Sequence, residues 1–372
     1  MDAIHSVNKL LVFYRQQWVG TLGRTPDNTR CTFQYAPEWL QSGFSISPLE
    51  LPLRAELFIA QPTPFYGNFG IFEDSLPDGY GRYLLNRLLQ RHGVDELSLS
   101  PLQRLAIVGS SGMGALRYEP EMIEAEKHLL PELNTLQQMA LDVLSEKTTE
   151  GVDTLYYNSG NSGGCRPKCL YRDNEGQWLV KFRYTYDPID MGEQEYRYNQ
   201  LADACGIIVP PYKLLSGRYF SSKRFDIDAA GQALLVATAA ALLRENIHPP
   251  KTDYKVLLAL TGYITQSPGE VEQMFRRMVF NVLIGNKDDH AKNFSFIHQE
   301  DGWHLAPAYD LTRCVQGYNG EHATSVMGNG VPTESDMLKA AESIRISRAR
   351  AIEIIHEMKD CIASMGYVRD IL

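Results

Sequence analysis

An α+β fold is predicted for this chain, and three observations carry the prediction. Short alternating segments bounded by turn residues, such as "KLLVFYRQQWVGTLG" and "WLVKF", recur through the first 234 residues. From about residue 235 the pattern turns mostly helical. The best helical periodicity, at 271–284, runs straight into a dense polar stretch, "LIGNKDDHAKNFSF" at 283–296. The 372 residues suffice for two or three domains or lobes with a large core.

Residues 8–35 read as strands, "KLLVFYRQQWVGTLG" and then "CTFQYAP", with "RTPDNTR" as the turn between them. "SLPDGYGRYLLNRLLQRHG" reads as a loop followed by a helix. Leu84, Leu85, Leu88 and Leu89 make its apolar face, and Gly93 supplies its stop. "IVGSSGMGALRYEP" lacks the spacing of a phosphate loop or a dinucleotide fingerprint and is taken as a tight turn before a strand. The acidic stretch 119–150 reads as a helical bridge.

"YYNSGNSGGCRPKCLYRDNEGQWLVKF" reads as strand, Gly-rich turn, strand, "DNEG" hairpin turn, strand. "GEQEYRYNQLADACGI" is a short helix ending at Gly206, and "YKLLSGRYFSSKRFDI" resumes strand character. In "VEQMFRRMVFNVLI" the apolar residues fall at 271, 274, 275, 278, 279, 282 and 283, a core-facing stripe, with Gly285 as the residue that ends the helix. "FSFIHQEDGWHLAP" then turns on Gln299–Gly302, and Asp310 follows in "APAYDLT". The organisation expected is an N-terminal α/β subdomain at 1–120, a helical bridge at 121–150, a strand-bearing unit at 151–234 and a mostly helical unit at 235–372.

Composition narrows the function classes. A net charge of −9 argues against unaided binding to nucleic acid, which rests on Lys and Arg neutralising phosphates. The six cysteines are scattered, with Cys165 and Cys169 four apart, so reduced thiols in a cytoplasm are expected rather than a disulfide frame or zinc site. The first twenty residues lack signal-peptide character, and no apolar run approaches the roughly 20 residues that span a bilayer. No membrane association is expected.

The chemistry is expected where helix, polar loop and hairpin bring two acids and an amide toward one place. Asp288, Asn293 and Asp310 are hard oxygen donors of the kind that suit Mg²⁺ between phosphate oxygens. Upstream, "NSGGCRPK" offers backbone able to approach phosphate closely. Lys181 lies in a strand, where a phosphate or Glu195 on the next helix would pair it. Each feature has a plainer alternative: a solvated Asp-Asp turn, an ordinary hairpin, a lysine reaching solvent, a histidine bonding within its loop. The order of the parts favours function, because protein kinases place a Gly-rich element, strand Lys, helix Glu, Asp-x4-Asn and a final Asp in that sequence.

"NVLIGNKDDHAKNFSF" and "LAPAYDLT" closely resemble the catalytic loop and metal-binding segment of HipA-type serine/threonine kinases, toxins of bacterial toxin–antitoxin systems. "FEDSLPDGYGRYLLNRLL" and "VGSSGMGALRYEP" resemble that family's N-terminal subdomain, and "GEHATSVMGNG" its C-terminal half. The resemblance implies a two-lobed protein-kinase-like fold, closer to lipid kinases, with an N-terminal α/β subdomain and a mostly helical C-terminal lobe. It implies ATP and Mg²⁺ as cofactors and Asp288 as the catalytic base. Asn293 and Asp310 would hold the metal, His290 and Lys292 would line the phosphates, and Tyr309 would lie beside the nucleotide. Lys181 would contact the phosphates, the backbone of Gly163, Gly164, Cys165, Arg166, Pro167 and Lys168 would cover them, and Lys223, Arg224 and Phe225 would form the hinge beside adenine.

In the best-known members the Gly-rich loop reads Ser-Ile-x-Gly-x-Gln-x-Lys, and its serine is autophosphorylated. Here Asn161 takes that serine's place, which leaves Ser162 and Ser159 as the autophosphorylation candidates. The usual Glu before the hinge is Lys223. The partners implied are a HipB-type antitoxin, with DNA reached only through it, and a protein substrate of the translation machinery such as an aminoacyl-tRNA synthetase. Two alternatives share the residues: a small-molecule kinase, and a non-catalytic co-repressor that binds the antitoxin.

Overall fold

The computed structural model describes residues 7–122, 130–159 and 163–366. It divides into two compact units, one formed by residues 1–192 with 213–235 and the other by 193–212 with 236–372.

The first unit opens with β1 (Leu10–Tyr14), β2 (Gln17–Arg24) and β3 (Cys31–Tyr35). Tyr14 pairs with Gln17 across a two-residue turn in which Arg15 adopts φ +57°, the left-handed geometry such hairpins need. Helix α1 (Pro37–Ser42), strand β4 (Phe58–Ile59) and helices α2 (Gly70–Glu73), α3 (Gly79–Arg91) and α4 (Pro101–Val108) follow, then β5 (Leu116–Glu119). The strands form an antiparallel sheet ordered β4-β3-β2-β1-β5. The "SSGMG" stretch is the turn before β5, as expected. Ser100 and Gln103 close a capping box at the start of α4.

Of the expected helical bridge, the described residues contain α5 (Leu133–Leu144); residues 123–129 lie outside them. The next element corrects an expectation. "VDTLYYNS" is helix α6 (Val152–Ser159), not a strand. Its buried residues, Val152, Leu155, Tyr156 and Ser159, follow helical spacing and face the core, overriding the β preference of the paired tyrosines. The Gly-rich segment therefore joins a helix to a strand. Strands β6 (Lys168–Asp173) and β7 (Gly176–Lys181) make the expected hairpin. Helix α7 (Met191–Ala204) comes next, then β8 (Tyr212–Leu215) and β9 (Tyr219–Lys223), giving a sheet ordered β6-β7-β9-β8.

Packing does not break at residue 120 or 150. Leu84, Leu85, Leu88 and Leu89 of α3 share one buried cluster with Leu155 of α6 and with Trp178, Val180 and Tyr219 of the four-stranded sheet. The N-terminal α3 is thus part of the same core as the Gly-rich hairpin.

The second unit takes in nearly all of α7, with β10 (Val236–Thr238), α8 (Ala239–Leu243), α9 (Tyr254–Thr265), α10 (Pro268–Ile284), β11 (Ser295–Gln299), β12 (Gly302–Leu305), α11 (Glu334–Ser343) and α12 (Arg348–Ser364). Strands β10, β11 and β12 form an antiparallel sheet in that order, and Gln299 pairs with Gly302 at the foreseen turn. Ser267 caps α10 and Gly285 ends it at φ +69°. Met274, Phe275, Met278, Val279, Phe280 and Ile284 are buried, whereas Val282 and Leu283 are only half-buried. The buried face also takes in Arg277 and Asn281, because both bond to the loops beyond the helix.

Candidate active site

Gly285 turns the chain off α10 into the polar loop, which is stitched on both sides. Cys314 N–H donates to Gly285 O (3.1 Å), Lys287 N–H to Cys314 O (2.9 Å) and Ala323 N–H to Lys287 O (3.1 Å). Asn286 is buried; its Nδ2 donates to Asn281 Oδ1 (3.0 Å) and to Asp310 O (3.1 Å). The two adjacent aspartates then part company. The Asp288 side chain is 65% exposed, and the Asp289 side chain is wholly buried.

Asp289 Oδ2 accepts from Tyr254 Oη (2.8 Å) and lies 2.9 Å from His322 Nδ1, while its Oδ1 accepts from Thr324 N–H (3.2 Å). Thr324 Oγ1 donates to the Asp289 carbonyl, and Asn281 Nδ2 donates to Tyr254 Oη (2.9 Å). Burial and the neighbouring Asp289 carboxylate push the Tyr254 phenol well above its ordinary value, so it remains a donor. A buried carboxylate is tolerable only with such a set of partners. Those partners come from α9 and the 322–324 segment, with α10 joined through the Asn281–Tyr254 bond, so Asp289 ties these parts of the unit to the loop that presents Asp288.

Past the aspartates, His290 Nε2 lies 3.8 Å from Asp288 Oδ1, and His290 Nδ1 is buried with no hydrogen-bond partner among the described residues. Ala291–Asn293 form a short 3-10 turn. Asn293 Nδ2 donates to Asp288 O (2.7 Å), which orients the amide, and its oxygen is the atom suited to a cation. Tyr309 Oη donates to Lys292 O (2.8 Å) and contacts Ser295 Oγ. With the Asn286 bond to Asp310 O, this brings the 286–293 loop and the 309–310 segment together. Asp310 itself has φ +54°, a left-handed conformation that costs about 1–2 kcal/mol for a residue with a Cβ and tends to persist where function requires it. Just upstream, the buried Arg277 donates from Nη2 to Ala306 O (2.6 Å); burial pushes its guanidinium down to about 10.

In the first unit, Gly163 and Gly164 are exposed, and Gly164 has φ +92°. Arg166 is committed to Asp187 through two bonds, Nε to Oδ2 (2.8 Å) and Nη2 to Oδ1 (3.1 Å). Burial acts to raise the Asp187 carboxyl, but Arg166 and the Tyr184 N–H outweigh it and hold the group below the usual range. Lys168 Nζ donates to Gly163 O. Lys181 is the last residue of β7, with Nζ 5.6 Å from the Phe220 ring centroid. Cys165 is exposed and Pro167 buried, the latter's carbonyl accepting from Phe182 N–H (2.8 Å).

Some expected binders turn out to have structural partners. The Arg224 guanidinium is buried against Asp226, Nε to Oδ1 at 3.0 Å, and donates to Met113 O (2.8 Å). Lys223 ends β9, ahead of Phe225, and its chain lies against Gly176. Tyr309 holds the Lys292 carbonyl. Ser159 is buried at the end of α6, its Oγ donating to Tyr156 O (3.1 Å), so it is not presented for modification; Ser162 lies outside the described residues. Sequence reasoning missed Asp289, Tyr254, Asn281 and Asn286. His322 stood in the quoted "GEHATS" without a role.

The donor chemistry fits a hard cation. Asn293 and Asp310 offer oxygen, and no group of three or more His, Cys, Asp or Glu side chains among the described residues is arranged to hold a metal alone. Further ligands would come from phosphate or water, the usual arrangement for Mg²⁺.

A five-stranded N-terminal sheet, a Gly-rich segment leading into a hairpin that ends in Lys181, and a helix-anchored Asp-x4-Asn loop stitched to a later Asp together define a chain of the protein-kinase-like fold class. Comparison with known proteins gives the family. Residues 10–119 match the model of the HipA N-terminal domain, and residues 160–365 match that of the HipA-like C-terminal domain. The chain belongs to the HipA family. Two curated relatives come from Sinorhizobium fredii. "Putative kinase Y4dM" is 29% identical over 174 residues, 41% of each chain. "Putative kinase Y4mE" is 33% identical over 76 residues, 18% of each. The match thus spans well under two thirds of either relative's length. Among solved structures, a chain of the Shewanella oneidensis toxin–antitoxin complex of HipA, HipB and operator DNA superposes with TM-score 0.71 at 18% identity, covering 98% of this chain and 91% of that one. That likeness establishes the fold.

Proposed function

We propose that this chain is an ATP- and Mg²⁺-dependent serine/threonine protein kinase, the toxin of a pair whose other member is a small DNA-binding antitoxin of HipB type. The observation that carries this reading is the division between the two adjacent aspartates. A buried Asp289 fixes the loop, and an exposed Asp288 on it is left to meet a substrate hydroxyl. Asp288 accepts or orients the hydroxyl proton, the task such an Asp performs in phosphoryl transfer. Asn293 Oδ1 and the Asp310 carboxylate hold Mg²⁺. The metal, when bound, neutralises phosphate charge. In this reading His290 and Lys292 would line the phosphates, Lys181 would contact them and the backbone of Gly163–Lys168 would cover them.

DNA is reached through the antitoxin, in keeping with the net charge of −9 and with the HipA–HipB–operator assembly of the structural relative. The substrate belongs to the translation machinery, an aminoacyl-tRNA synthetase being the type proposed. Ser162 is the self-phosphorylation site in preference to the buried Ser159. The cytoplasm is the proposed location; no described helix is long and apolar enough to cross a membrane.

Transfer of radiolabel from ATP to the protein or to lysate proteins tests the activity, with Asp288→Asn as the control. Wild type should label its target or itself, and the variant should lose labelling by a factor on the order of 10² or more. Equal labelling by both would remove the kinase reading. Phosphate on a purified metabolite instead of protein would favour a small-molecule kinase.

A further inference from the structure

The N-terminal end of α3 holds one residue of the Gly-rich segment, Gly164, by both its N–H and its C=O. Gly164 N–H donates to Asp78 Oδ1 at 2.8 Å, and Tyr80 N–H donates to Gly164 O at 3.0 Å. Asp78 is the N-cap residue of α3, the position from which an Asp ordinarily bonds its own helix, yet it makes no such bond. The two backbones lie so close that a Cβ on Gly79 would stand 2.4 Å from Gly164 O. Gly79 at φ +45° is therefore required both conformationally and sterically, and Gly164 at φ +92° conformationally. The buried Lys168 Nζ meanwhile donates to Gly163 O, within the same loop.

A backbone N–H in a Gly-rich turn is the donor that a phosphate oxygen takes. Here a carboxylate oxygen already has it. We propose that Asp78 is a built-in placeholder for a nucleotide phosphate, so that ATP binds the Gly-rich segment only by displacing this carboxylate from Gly164. The inference rests on the proposed reading of Gly163–Lys168 as the phosphate-covering element. The two anions exclude one another, since a single N–H cannot serve both and their charges repel. The loop is the partner that yields, because Asp78 is fixed at the head of a helix whose Leu84, Leu85, Leu88 and Leu89 are anchored in the core.

Three proteins and two measurements test this: wild type, Asp78→Asn and Asp78→Ala, followed by hydrogen exchange of the 163–168 peptide without nucleotide and by titration with Mg·ATP and with adenosine. Exchange in the peptide should accelerate in Asp78→Asn and more so in Asp78→Ala, because a charge-assisted bond is first weakened and then removed. The apparent ATP affinity should rise in the same order, by about tenfold if the contact is closed nine-tenths of the time. Adenosine affinity should stay unchanged, since adenosine has no phosphate to compete. Unaltered exchange, or accelerated exchange with ATP affinity equal to or weaker than wild type, would overturn the placeholder while leaving ATP binding itself intact. If no form of the protein binds ATP although exchange accelerates, the nucleotide reading fails and the placeholder fails with it.

Discussion

Asparagine placed at each of the two adjacent aspartates should separate stability from activity. Asp288→Asn changes a side chain that is 65% exposed, so unfolding free energy should move by no more than about 0.5 kcal/mol. Asp289→Asn puts an NH₂ group where the structure has only donors facing it: Thr324 N–H on one oxygen, Tyr254 Oη and His322 Nδ1 on the other. With the NH₂ toward Thr324 N–H a donor meets an obligate donor, and with it toward Tyr254 and His322 both groups must give up donating to a carboxylate, in a site without solvent. Breaking a buried charged cluster costs about 3–5 kcal/mol, and the near-isosteric Asn should fall toward about 3 kcal/mol. Tyr254→Phe is intermediate. It keeps the ring contact with Phe294 (5.6 Å between centroids) and removes the hydroxyl that serves both Asp289 and Asn281, which should cost about 2–3 kcal/mol. Urea unfolding followed by fluorescence gives the stabilities, and label transfer from ATP gives the activities. The reasoning is refuted if Asp289→Asn unfolds at the wild-type urea midpoint, or if Asp288→Asn is the less stable of the two.

Four further outcomes follow from the structure. Asn286→Ala removes bonds to Asn281 and to the Asp310 carbonyl; it should cost about 2 kcal/mol and raise the Mg²⁺ concentration needed for half-maximal labelling, because Asp310 loses its tether. Gly285→Ala has room for its Cβ, the nearest atom being Arg313 Nε at 4.0 Å, so only the φ of +69° penalises it; a loss of about 1–2 kcal/mol is expected in urea unfolding. His298 is held down to about 4 by burial first and by the nearby His304 second. An unfolded chain with an ordinary histidine then binds more protons, so this residue's contribution is fully present above about pH 6.5 and is lost as pH falls toward 4. His298→Gln should flatten the acid limb of the stability profile. His304 works in the opposite sense. Burial alone would lower it, but its bonds to Glu270 and Asp301 raise it, so its contribution is lost as pH climbs through its raised value.

What was legible in the sequence was whatever a few neighbouring residues decide. The stop of α10 at Gly285, the hairpin at Gln299–Gly302 and the strands between residues 10 and 35 each follow from local periodicity and a turn residue. Helix α6 was misread because the two adjacent tyrosines favour strands, while its true signal, burial at 152, 155, 156 and 159, depends on α3 and the neighbouring sheet. The catalytic-loop residues were legible as a group through their order along the chain. The grip of Asp78 on Gly164 joins positions 86 apart, and no local rule links them.

The same limit explains why one aspartate of the pair was seen and the other missed. In the string "NKDDH" the two carry the same side chain one position apart, and nothing local marks one of them for burial. Only Tyr254, 35 positions upstream, and His322, 33 downstream, make Asp289 a buried group. An apolar residue at 289 would fill the space at lower desolvation cost, but apolar packing is non-directional and would not fix the rotation of the loop about its own axis. A carboxylate bound on both oxygens does fix it, and a one-residue step along that fixed backbone carries the neighbouring side chain outward. The buried charge is thus explained by the exposed one: the loop holds an anion inside so that the next anion is aimed at solvent.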